Sequence, residues 1–112
     1  ERRHRVLATA EKLGAELNAL GFTTTARSRT PAIPVLVGDT RLCRRLWTEL
    51  FNEGVFTNAL TPPSVPEGQA LVRVGVTAAH TRLQVERIVE AFANAGHRLK
   101  LIEPGRRPAE TT

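Results

Sequence analysis

The chain has 112 residues, 41% hydrophobic and 24% charged, which suits one compact domain and excludes two domains, a disordered chain or a fibre. No apolar run approaches the roughly 18 residues of a membrane span, and the N-terminal ERRHRV lacks the core of a signal peptide. Fourteen Arg and two Lys against 11 acidic residues give a net charge of +5, and a single cysteine, Cys43, excludes an internal disulfide and fits a reducing cytoplasm.

Val6, Ala10, Leu13, Leu17 and Leu20 recur at helical spacing and predict a helix that opens almost at once and stops at Gly21. Phe22 begins an extended, β-branched stretch, FTTTARS. After the breaker Thr30-Pro31, AIPVLVG reads as an apolar strand; Pro34 removes a ladder donor, so this strand is expected at an edge or with a bulge. Asp39 is placed to cap a second helix, with Leu42, Leu46 and Leu50 as its buried stripe, Cys43, Trp47 and Phe51 beside it, and Gly54 at its end.

VFTNAL reads as a further strand, and TPPSVPEGQ, with three prolines, as a structured loop. In ALVRVGVT the side chains alternate: Val72, Val74 and Val76 face one way, and Leu71, Arg73, Gly75 and Thr77 the other. Thr81 and Gln84 have capping-box spacing for a last helix, with Val85, Ile88, Val89 and Phe92 on its core face and Gly96 as its stop. RLKLI is read as a short final strand, and residues 104–112 as a disordered tail. The expected fold class is α+β, a small, mostly antiparallel sheet with helices packed on one face.

The three histidines, His4, His80 and His97, are far apart with no acidic or cysteine ligand at metal spacing, so no metal site is expected. His80 reads as a turn residue, and Cys43, beside an apolar stripe, as a buried structural thiol. Arg2, Arg3 and Arg5, and then Arg41, Arg44 and Arg45, form basic clusters that raise nucleic-acid binding. No aromatic interleaves with them, and Asp39, Glu49 and Glu53 interrupt the second, so solvated helix faces are the reading preferred.

Arg73 carries more. A charge in mid-strand, on the face opposite three valines and beside the open space of Gly75, suits bidentate binding of a carboxylate; the alternative is an exposed Arg paired with a surface acid. Pro62, Pro63 and Pro66 stiffen the preceding loop, so Ser64 is either a fixed hydroxyl at the edge of a cleft or incidental to a rigid connection.

The succession LNALGF, TPAIPVLVGD, EGVFTNALTPPSVPEG and RVGVTAAHT resembles, in unbroken order from Val6 to Gly96, the C-terminal small domain of the α-oxoamine synthases, pyridoxal-phosphate-dependent acyltransferases of fold type I. The resemblance implies a parent enzyme that condenses an amino acid with an acyl-CoA thioester with loss of carbon dioxide. It implies that Arg73 binds the amino-acid carboxylate and that Ser64, at a position where members differ, contacts substrate. Orienting that carboxylate decides which bond at the α-carbon breaks.

By the same resemblance the Schiff-base lysine and the other groups that hold the cofactor lie in a large domain; neither Lys12 (AEKLG) nor Lys100 (RLKLI) matches its motif. The chain alone is therefore expected to hold no catalytic or cofactor-binding residue, and the parent to be a cytoplasmic homodimer without a membrane span. The absence of Met and the start at Glu1 agree with a piece of a longer chain, with residues 1–103 as the small domain. The rival expectation is a stand-alone α+β binding or interaction module without catalysis, and behind it a basic nucleic-acid-binding domain.

Overall fold

The computed structural model of the chain describes residues 2–24, 32–75 and 81–102. Its elements run α1 (Arg2–Leu20), β1 (Thr23–Thr24), β2 (Ala32–Gly38), α2 (Thr40–Asn52), β3 (Asn58–Leu60), β4 (Ala70–Gly75) and α3 (Arg82–Arg98). Through α3 this is the order expected from the sequence. The four strands form one antiparallel sheet in the order β1-β2-β4-β3. Helices α1 and α2 pack against the sheet, and α3 packs against α1 and α2.

The core follows from the periodicities. Leu13, Leu17 and Leu20 of α1, Leu46 and Leu50 of α2, and Val89 and Phe92 of α3 are buried together with Val35 of β2 and with Val72 and Val74 of β4. Phe22 meets Phe92 edge to face, with ring centroids 5.4 Å apart and planes at 84°. At the far end of α2, Arg98 of α3 pairs with both Glu49 and Glu53, tying the C-terminal ends of the two helices together.

The caps explain where the helices begin. The Asp39 carboxylate accepts the Leu42 N–H at 2.9 Å, and Thr81 and Gln84 form the reciprocal capping box, at 3.1 and 2.8 Å. Among the described residues, all three helices end the same way, with a left-handed residue followed by a backbone bond back to the last turn: Phe22 to Leu17 at 3.0 Å, Val55 to Leu50 at 2.8 Å and Leu101 to Gly96 at 2.8 Å. Gly21 (φ 117°) and Gly54 (φ 86°) fill that position in α1 and α2, as expected.

In α3 the expectation needs correcting. Gly96 does not stop the helix, which continues to Arg98, and the left-handed residue is Lys100 at φ 61°. Gly96 is there for space: a Cβ would lie 2.7 Å from Phe22 Cζ and 3.0 Å from Ile102. RLKLI is not a strand, because Arg98 and Leu99 complete the helix and Lys100 turns the chain so that Ile102 folds back onto the core.

Strand β2 is not at an edge. It lies between β1 and β4, and its bulge falls between Leu36 and Gly38. Pro34 stands in register with Arg73 of β4. VFTNAL is strand only over Asn58–Leu60. Most of FTTTARS, Thr30-Pro31, Val76, Thr77, His80 and the tail 104–112 lie outside the described residues.

Candidate functional site

The alternation read in β4 holds: Val72 and Val74 are buried at 0% and 1% exposure, and Arg73 and Gly75 between and beyond them are exposed on the face away from the helices. Register then supplies the neighbours. Arg73 pairs with Pro34 of β2 on one side and with Asn58 of β3 on the other. Residues directly opposite one another share a face, with Cβ atoms about 4.5–5.5 Å apart.

Two features suit Arg73 to a ligand. Arg82, Arg87 and Arg98 are each paired with a glutamate, whereas among the described residues no carboxylate or hydrogen-bond acceptor engages Arg73. Among the described residues, Arg73 is therefore not tied to a surface acid. Beside it, a Cβ added to Gly75 would meet nothing within 4 Å, so the space predicted there is open.

One row along, about 7 Å away at the usual rise of a strand, the same face turns apolar. Thr23, Leu36, Leu71 and Leu60 stand in register across all four strands, and Leu36 is 46% exposed. The β3–β4 loop leaves from the Leu60–Leu71 end of the hairpin. It is built from two turns, closed by Ser64 N–H to Thr61 O at 2.9 Å and by Gln69 N–H to Pro66 O at 3.1 Å. Pro62-Pro63 is a cis peptide, and Gly68 at φ 80° serves the second turn. Ser64 is exposed in this loop and, among the described residues, makes no hydrogen bond with Arg73.

Cys43 is buried in α2, and its thiol donates to the Leu71 carbonyl at 3.3 Å, behind the site strand. Burial pushes the thiol pKa up, and the nearby Arg44 only partly opposes it, so Cys43 is a structural thiol and not a nucleophile. Arg41, Arg44 and Arg45 line an open groove of about 490 Å³ with Thr40, Thr48 and Glu49, without an aromatic side chain among them. Among the described residues no group of three or more potential metal ligands converges, and no helix is long and apolar enough to cross a membrane.

Neither lysine fits a site for pyridoxal phosphate. Lys12 is exposed on α1, which packs on the helical side of the sheet, and Lys100 is exposed at the end of α3; Arg73 faces the opposite side. Nothing in the sequence singles out Asn58. The alternation of β3 puts it on the same face as Leu60, but a long loop hides which residue of β4 it meets.

Comparison with known proteins places this geometry in context. The family model for aminotransferase class I and II matches residues 1–92. The chain is 41% identical over 102 residues to 8-amino-7-oxononanoate synthase of Symbiobacterium thermophilum, covering 91% of this chain and 26% of that protein. It is 37% identical over 102 residues to 2-amino-3-ketobutyrate coenzyme A ligase of Escherichia coli K12, covering 91% of this chain and 25% of that protein. Among solved structures it is similar to a serine palmitoyltransferase variant from S. paucimobilis with a bound PLP–myriocin aldimine, with a TM-score of 0.82 and 27% identity over 90% of this chain and 26% of that one. The chain thus spans about a quarter of the length of the relatives it matches.

Proposed function

This chain belongs to the aminotransferase class I and II family, and from that premise we propose that residues 1–103 are the C-terminal small domain of a pyridoxal-phosphate-dependent α-oxoamine synthase. The intact enzyme condenses an amino acid with an acyl-CoA thioester, with decarboxylation, as a cytoplasmic homodimer. The domain's part is to hold the substrate carboxylate and present it to a site formed with the rest of the protein.

The observation that carries this reading is Arg73, exposed and without a carboxylate partner among the described residues, beside the open space at Gly75. A guanidinium presents paired N–H donors in a plane, and a carboxylate meets them with two oxygens. The strand fixes the arginine's backbone, so a carboxylate bound there is held in one orientation. The cofactor supplies an electron sink for the α-carbon when bound. With neither lysine suitably placed, it is held by parts of the enzyme outside these 112 residues. In this reading Ser64, on the stiffened loop at the Leu60–Leu71 end of the hairpin, contacts a part of the substrate away from the carboxylate.

The test is chemical. Full-length protein is given carboxyl-labelled alanine, glycine or serine together with acyl-CoA thioesters of short, medium and long chain. One amino acid is expected to release labelled carbon dioxide and free CoA thiol in equal amounts, and only when both substrates are present. Release of neither from any combination would instead favour a binding module without catalysis.

A further inference from the structure

The sheet sets an amide directly opposite Arg73. Asn58 lies on edge strand β3, exposed and in register with the arginine, and among the described residues its side chain makes no hydrogen bond. Arg73's other flank offers no such group: Pro34 presents only hydrocarbon and Gly75 no side chain. With Cβ atoms about 5 Å apart across an antiparallel pair, the amide and the guanidinium are within reach of each other.

The chemistry of the pair is complementary. The amide oxygen accepts from one guanidinium N–H, leaving the remaining donors of the fork for a carboxylate, and the amide NH₂ donates to that same carboxylate. Arginine has a long, flexible stem; asparagine is short and sits on a fixed strand. We propose that Asn58 is a positioning residue for carboxylate binding, holding the Arg73 guanidinium toward the open space at Gly75 and adding one donor to the bound carboxylate. This rests on the reading of Arg73 as the carboxylate ligand.

The test uses the full-length protein, with alanine, glycine and serine as probes in calorimetric titration and in steady-state kinetics. Asn58→Ala is expected to weaken amino-acid binding roughly tenfold, with the acyl-CoA KM within about twofold of wild type. Asn58→Asp, of the same size but charged, would pair with Arg73, compete with the substrate carboxylate and weaken binding more than alanine does. In an Arg73→Ala background, Asn58→Ala should cost well under tenfold, because only its own donor to the carboxylate is then lost. Normal amino-acid binding by Arg73→Ala would overturn the carboxylate reading itself. Weak binding by Arg73→Ala with wild-type binding by Asn58→Ala, or a further full tenfold loss in the double variant, would overturn the role of Asn58 alone.

Discussion

Arg73 owes its place to a two-residue period. Val72 and Val74 must face the helices, so the residue between them must face away. That much is legible in ALVRVGVT. What stands beside Arg73 is not, because register across the loop from Thr61 to Gln69 depends on how two turns close, and a shift of one residue would replace Asn58 by Ala59 on that face. Cys43 is also legible at this scale, since an apolar stripe around a thiol implies burial. Its raised pKa makes a prediction whose sign follows from that burial. The folded state favours the neutral thiol, so Cys43's contribution to stability is intact below the ordinary value of 9.0 and is lost as pH rises above it. Native protein should therefore resist thiol reagents at neutral pH, and denaturant unfolding midpoints should fall above pH 9 in wild type more than in Cys43→Ala. Rapid native labelling at pH 7 would contradict the buried thiol.

At the scale of elements, the helix starts were readable and one helix end was not. Caps are local chemistry: Asp39 and the Thr81–Gln84 pair act on amides within a few residues. A glycine near the end of an apolar stripe has two meanings that sequence alone does not separate, a left-handed stop or room for a neighbour. Gly21 and Gly54 are stops; Gly96 is room, with Phe22 and Ile102 against it. The short run RLKLI carries the same ambiguity, since a strand and a helix end followed by a packed turn look alike over five residues. Gly96→Ala should accordingly destabilise the fold by about 1–2 kcal/mol, overpacking exceeding the gain in helix propensity. Lys100→Gly should stabilise it by about 1 kcal/mol by relieving a side chain at φ 61°. Denaturant titration reads both, and a stabilised Gly96→Ala would show that the crowding is relieved without cost.

Over the whole molecule, the fold class followed from element order and strand alternation. The family did not; it rested on the succession of motifs from LNALGF to RVGVTAAHT, and the match to aminotransferase class I and II over residues 1–92 bears that resemblance out. The +5 charge is also resolved by position. Arg82, Arg87 and Arg98 sit in ion pairs, Arg41, Arg44 and Arg45 line a groove on α2 without base-stacking aromatics, and Arg73 stands apart on the far face of the sheet. That face also exposes Leu36, and elsewhere Phe56 and Leu83 are 72% and 77% exposed. The most direct measurement is the amino-acid kcat/KM of full-length Arg73→Ala, taken beside the KM for acyl-CoA. Carboxylate binding at Arg73 predicts a loss of about 2–3 kcal/mol, roughly 30- to 150-fold, in the amino-acid kcat/KM, with the acyl-CoA KM unchanged. Unchanged amino-acid kinetics would contradict it and leave Arg73 a surface residue.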